Sequence, residues 1–288
     1  MLVDDDKYGL KPVWDALLEI YDAFVSICEK NGLRYYLSDG TALGAVRHGG
    51  FIPWDDDFDV SMPREDYEKF IDIASDQLPK HLTFVNWRNT PEFPLLFGKI
   101  HDTRKERIEA IERKIGKPLS SGLFIDIFPI DGYPESRLER MLVYVVNIPL
   151  SCIVRFRCMS YRQQTKKGKL VWLTGLVFNV LIPFVSGQHC KSICEKILRR
   201  HPFGSAKETG RASLRLTVLN RKPMPKSWWG AGTIRLFCGR ECVLPESYDE
   251  WLGFYYGDYM KLPPDDMRHP SHQYSWRCPW WLGPTNTV

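Results

Sequence analysis

Four aspartates fall within five consecutive positions, Asp55-Asp56-Asp57-Phe58-Asp59, between Trp54 and Val60. Like charges this close repel one another, and holding them among aromatic neighbours is costly unless positive charge sits between them. A divalent cation answers that need. If 57–60 runs as a strand, side chains alternate, so Asp57 and Asp59 share one face about 6.6 Å apart while Phe58 and Val60 turn to the core. Carboxylate ligands of this kind suit Mg²⁺ or Mn²⁺, and Mg²⁺ keeps waters and substrate phosphates as its remaining ligands. Asp55 and Asp56 read differently, as a solvated turn that caps the next element.

Upstream, the apolar run Leu33–Leu37 predicts a short strand, Ser38-Asp39-Gly40 a turn, and Thr41 to about Arg47 a helix of small residues. Free backbone N–H groups at such a helix start attract phosphate oxygens. Thr41 reads as the helix cap, and Gly40 as the position that lets a ligand come close. A phosphate-cradling helix start beside a metal-binding strand is the arrangement that phosphoryl or nucleotidyl transfer requires. A third carboxylate is expected from the strand Leu123–Pro129, where Asp126 stands between Ile125 and Ile127 and needs a partner, for which the cation serves. Asp131 is the reserve. Arg47, His48, Lys99 and Arg104 are candidates to neutralise a diphosphate.

The 288 residues predict one core of roughly 150–200 residues with an elaboration. Val13–Asn31 has a helical apolar period stopped by Gly32, and Arg64–Leu78 repeats that pattern with Tyr67, Phe70, Ile71 and Ala74 on one face. From about 137 to 200 the chain reads as helical and unusually apolar: Met141–Val154 and Leu170–Ser186 carry no charge. Both fall short of the ~20 residues a bilayer span needs. Between them lies RFRCMSYRQQTKKGK, strongly basic. We read a helical hairpin that forms a buried subdomain rather than a membrane-embedded one, with contact on an anionic lipid surface as a third option. The net charge, 39 − 35 = +4, is too small for a chain that coats nucleic acid. Eight cysteines without a C-x-x-C pair, behind the acidic start MLVDDDKYGL, predict reduced thiols in a cytoplasmic setting.

The stretch SDGTALGAVRHGGFIPWDDDFDVSMPREDYEKF resembles the signature of the LicD family, which includes the fukutin-type domains. FIDIFPIDGYP resembles the family's second motif and YDEWLGFYYGDYMKLPP its C-terminal one. The resemblance implies an α+β fold, a nucleotidyltransferase-like mixed sheet flanked by helices. Residues 1–136 and 201–288 would form the catalytic domain and 137–200 an apolar helical insertion. It also implies a metal-dependent phosphotransferase that moves a phosphorylated small alcohol, such as phosphocholine or ribitol phosphate, from a CDP-linked donor to a hydroxyl of a cell-surface glycan or lipid-linked glycan. Carried onto this chain, Asp57, Asp59 and Asp126 are the catalytic and Mg²⁺-binding (or Mn²⁺-binding) carboxylates. Gly40, Thr41 and Tyr256 fall in the donor site, which Arg47 and Lys99 would join. The expected location is cytoplasmic, peripheral on the inner face of the membrane. Three other readings stay open: a nucleotidyltransferase acting on an NTP, a D-x-D glycosyltransferase, and a membrane-associated scaffold.

Overall fold

The computed structural model describes residues 7–104, 106–107, 122–158, 166–211, 223–269 and 276–277. Helix α1 (Lys11–Asn31) carries Pro12 in its first turn, where the missing N–H is harmless, and stops at Gly32, where φ is 61°. Its buried stripe of Val13, Leu17, Ile20, Tyr21, Phe24 and Ile27 keeps the helical period.

The chain then runs through β1 (Tyr36–Leu37), α2 (Asp39–Arg47), β2 (Asp59–Pro63), α3 (Arg64–Gln77), β3 (Leu82–Val85), β4 (Gly98–Asp102), β5 (Glu106–Arg107) and β6 (Leu123–Gly132). Helices α4 (Arg137–Cys158), α5 (Lys166–Leu181) and α6 (Gly187–Leu198) follow. The remainder is β7 (Glu208–Arg211), β8 (Met224–Pro225), β9 (Thr233–Phe237), β10 (Arg240–Leu244), α7 (Tyr248–Tyr256) and β11 (Trp276–Arg277). This is the mixed sheet flanked by helices that the sequence implies.

In the main sheet the order is β1-β2-β6-β4-β3, with β7 on β6 and β8 on β7. β2 and β6 run parallel and the other pairs antiparallel, while β9–β10 and β5–β11 form separate two-stranded ladders. The register matters most at β6, where Asp126 lies opposite Asp59 of β2 on one side and opposite Lys99 of β4 on the other. Directly opposed residues project from the same face of a sheet. Asp59, Asp126 and Lys99 therefore form one polar row, and Val60, Ile125, Ile127 and Ile100 project from the other face into the core with α1 and α3.

A buried ion network ties α6 to this sheet. Arg64 donates through Nε and Nη2 to the two carboxylate oxygens of Asp131, 2.7 Å each, and through Nη1 to Glu195 at 3.4 Å. Arg88 bridges Glu68 and Glu195. Asp131, the reserve candidate, is thus bound in a buried network with Arg64. The Lys191 ammonium, also buried, donates to the carbonyls of Pro91 and Phe93 at 2.6 and 2.9 Å.

α4 and α5 form the expected hairpin, with Gly175 set against the Cys152 carbonyl so closely that no side chain fits between. The hairpin is not a buried subdomain. Pairing two helices covers one stripe of each, and the outer sides, including Leu142, Val145, Val177 and Val180, face solvent. No helix among the described residues is long and apolar enough to cross a membrane. Cys28, Cys152, Cys190, Cys194, Cys238 and Cys242 are free thiols, as expected; Cys278 and positions 159–165 of the basic linker lie outside the described residues.

The Arg64 side chain is 5% exposed and Asp131 3%. Arg64→Ala leaves buried carboxylates without their cation, so urea denaturation should show a loss of about 3–5 kcal/mol. A loss below about 1 kcal/mol would mean that the network carries no weight.

Candidate active site

The turn from β1 into α2 is wired to β2 through polar groups. Ser38 is the N-cap residue of α2, its N–H donates to the Asp59 carbonyl at 3.0 Å, and its hydroxyl accepts from Ser61 Oγ at 3.0 Å. The Asp59 N–H donates to Thr41 Oγ1 at 2.8 Å. Thr41 is therefore not the helix cap. β1 is only two residues long and ends opposite Val60, so the Asp59 N–H finds no strand partner there and the Thr41 hydroxyl supplies one. Gly40 permits a close approach, as expected, but the group that comes close is the Asp55 carboxylate. A Cβ at position 40 would stand 2.5 Å from Asp55 Oδ2. An acid at the start of a helix is also where the helix dipole favours it.

Asp55 and Asp56 do not form a solvated turn. Trp14 stacks on Phe51 with centroids 5.3 Å apart and donates from Nε1 to the Asp55 carbonyl at 2.8 Å, while Phe51 packs edge-on to Phe58. These aromatic contacts draw the acidic loop inward, and Asp56 is wholly buried. Burial, the Asp57 charge and a hydrogen bond with Asp57 push the Asp55 carboxyl well above the usual range. Asp59 is raised likewise, first by burial and then by Asp57, Asp39 and Asp126, with Arg211 opposing. The expected carboxylates Asp57, Asp59 and Asp126 thus act on one another electrostatically.

Two cations sit against this acidic group. Lys99 Nζ is 2.6 Å from Asp126 Oδ1 and 3.5 Å from the centroid of the Phe124 ring. The half-buried Asp126 thus has Lys99, a strand neighbour, as an ion-pair partner, beside the metal to which the sequence pattern points. Arg211 grips both oxygens of Asp39, with Nη2 to Oδ1 at 2.6 Å, and lies 5.0 Å from the ring of Phe128 and 5.8 Å from that of Tyr255. Burial works against its charge, and the Asp39 carboxylate more than compensates. Tyr256 is exposed as a whole residue; desolvation of its phenol and the charges of Asp39, Asp59 and Asp55 raise its pKa, with Arg211 opposing.

The remaining candidates are otherwise engaged. Arg47 donates from Nη1 to the Tyr259 carbonyl at 2.9 Å and from Nε to His48 Nε2 at 2.9 Å, fastening the segment after α7 to the end of α2. Arg104, at the other end of β4 from Lys99, is bound to Asp102 and Glu19. Asp39, Asp55 and Arg211 are the site residues that the sequence does not single out. Asp39 is visible there only as part of a turn, and nothing near Arg211 in sequence marks it, since it meets Asp39 across 172 positions.

Among the described residues, no three acidic, histidine or cysteine side chains stand as a ready-made metal cage. The donor set nevertheless fits a hard divalent ion: every nearby acid offers only carboxylate oxygens, and Mg²⁺ commonly takes one or two carboxylates and completes its shell with water and substrate phosphate.

Residues 32–137 match the family model described as "LicD/FKTN/FKRP, nucleotidyltransferase domain". The chain is 30% identical over 256 residues to "Lipopolysaccharide cholinephosphotransferase LicD" of Haemophilus influenzae, covering 88% of this chain and 92% of that protein. The chain belongs to the LicD family. It is a LicD-type phosphotransferase. A second similarity, 47% identity over 51 residues, is to "Ribitol 5-phosphate transferase FKRP" of mouse and human, covering 18% of this chain and 10% of that protein. The LicD match contains Gly40, Thr41, the aspartates from Asp55 to Asp59, Lys99 and Asp126; Arg211 and Tyr256 reach the site from beyond it.

Thr41→Val removes the acceptor of a buried N–H and should cost about 1–3 kcal/mol in chemical denaturation, whereas Thr41→Ser should cost less; equal losses would assign the effect to packing. The half-buried His48 is lowered to about 4 by burial and by Arg47. Its folded pKa lies below its unfolded value of about 6.5, so its contribution to stability is present above pH 6.5 and is lost as pH falls toward 4. A proton–nitrogen NMR titration should find its midpoint near 4, and an ordinary midpoint would contradict this.

Proposed function

We propose that this LicD-family phosphotransferase moves a phosphorylated small alcohol, phosphocholine or a polyol phosphate, from a CDP-linked donor to a hydroxyl of a glycan or lipid-linked glycan acceptor. The observation that carries the reading is the row of Asp59, Asp126 and Lys99 across three strands, beside the start of α2 and inside the stretch matched by the family model. The names of the relatives agree in chemistry, since one is a cholinephosphotransferase of lipopolysaccharide and the other a ribitol 5-phosphate transferase.

In this reading Asp57, Asp59 and Asp126 hold Mg²⁺ or Mn²⁺, and the ion, when bound, offsets charge on the donor diphosphate. The residues of the chain do the rest. A carboxylate of the Asp59–Asp126 pair takes the proton of the acceptor hydroxyl. The acceptor oxygen attacks the phosphorus that bears the small alcohol, the bond from that phosphorus to the bridging oxygen breaks, and CMP leaves with the electron pair. Lys99 and Arg211, already beside the acids, supply the protein's positive charge against the departing phosphate. Tyr256, exposed at the end of α7, would offer an aromatic face to a base or sugar.

The direct test offers CDP-choline, CDP-ribitol and CTP in separate reactions with Mg²⁺ and a glycan acceptor, and follows the nucleotide product. CMP from a CDP-linked donor, with phosphate carried onto the acceptor, is the expected result. Pyrophosphate from CTP would instead favour nucleotidyl transfer, and sugar without phosphate on the acceptor would favour glycosyl transfer. Asp57→Asn and Asp59→Asn should each lower turnover by about two to three orders of magnitude, the scale of losing one main electrostatic contact to the transition state. The melting temperature without metal should stay nearly unchanged, because each substitution also relieves like-charge repulsion. Full turnover in either variant would overturn the assignment.

A further inference from the structure

From Leu170 on, helix α5 carries no charge on any side, a composition that soluble proteins reserve for helices buried all round. Its outer side is instead open: Leu173, Val177 and Val180, spaced i, i+4, i+7, are all exposed. On α4, Leu142 and Val145 are exposed in the same way, and Phe184, just past the end of α5, is 99% exposed. The inner sides are well packed. Phe156 lies on Trp172 with centroids 4.7 Å apart, and Ile153, Val154, Cys190 and Phe178 share a cluster. The hairpin is thus packed internally, and its outer stripes leave apolar side chains of both helices open to solvent, the kind of surface that marks an interaction site.

The sequence joining the two helices indicates what covers them. From Arg155 to Lys169 there are six cations and no acid, more positive charge than the +4 of the whole chain. One of them can be located against the apolar surface: Arg157 donates to the carbonyl of Pro183 at 3.0 Å, next to Phe184. Apolar stripes on two helices whose joining sequence concentrates positive charge match the boundary between acyl chains and anionic headgroups. A second copy of this chain would bring the same cations to the same contact. An acidic protein would answer the charge and leave the stripes uncovered.

We propose that the α4–α5 hairpin docks this enzyme on an anionic lipid bilayer, lying on the surface with Val177, Val180 and Phe184 at the headgroup boundary. No described helix is long and apolar enough to cross. The docking surface shares no residue with the acidic site, so the inference stands or falls independently of the transfer chemistry.

The test is co-sedimentation of the full chain with phosphatidylcholine vesicles, with and without about 30% phosphatidylglycerol. Sedimentation with the anionic vesicles is expected, weakening between about 0.1 and 0.5 M salt. The double variant Val177→Glu/Val180→Glu should lower vesicle partitioning at least about tenfold. Leu142→Glu on the other helix should act in the same direction, which keeps the test decisive if the α5 variant fails circular-dichroism controls for folding. The proposal is overturned by failure to sediment, by sedimentation indifferent to phosphatidylglycerol, or by variants that bind normally. A dimer in light scattering that the same substitutions break would assign the surface to self-association and overturn it equally.

Discussion

The pairing of Asp126 with Asp59 on one side and Lys99 on the other organises the molecule. A carboxylate inside a central strand is tolerable only if its charge is answered, and Lys99 answers it at 2.6 Å from the neighbouring strand. The arrangement depends on register. A slip of one residue in β2 or β4 would turn Asp59 or Lys99 into the apolar layer that holds Val60, Ile100, Ile125 and Ile127. The hydrophobic face of the sheet and its chemical face therefore enforce each other, since the alternation that buries the isoleucines also sets the polar row.

Around this row the acidic group is assembled from parts with little sequence in common. The aromatic stack of Trp14 on Phe51 pulls the Asp55–Asp59 loop inward, Gly40 leaves room for the Asp55 carboxylate, and Thr41 anchors the start of β2. Asp39 sits at a positive φ of 47°, uncommon for a residue with a side chain, and Arg211 holds it there from β7. Arg47 secures the segment after α7 by its backbone carbonyls. A site tied down from so many directions keeps its charges fixed in place, which is how a protein stabilises charge that develops during a reaction.

Legibility follows the range of the physics involved. Helices α1 and α3 and strand β6 are readable because their periods are local, and Asp57, Asp59 and Asp126 because charge inside an apolar alternation is conspicuous. The β9–β10 hairpin carries a fainter local signal: Cys238-Gly239 between two alternating runs is a two-residue turn, and both residues have positive φ, 50° and 79°. The burial of Asp56 and the partial burial of Asp55 escape a local reading because Trp14, which holds the Asp55 carbonyl, lies about forty residues away. The exposure of α5 escapes it for the opposite reason, since an apolar sequence shows that a helix seeks cover and does not show whether the protein itself provides it.

The sequence by itself determined the family, the alternation that sets Asp57 and Asp59 apart from Phe58 and Val60, and the apolar character of the helical hairpin, all of which are properties of short stretches of chain. Only the tertiary structure decided which cation meets which carboxylate: Lys99 with Asp126, Arg211 with Asp39, and Arg64 with Asp131. Charge pairing acts through space over a few ångströms and is indifferent to separation along the chain, so the partners of these acids become visible only once the strands have found their register.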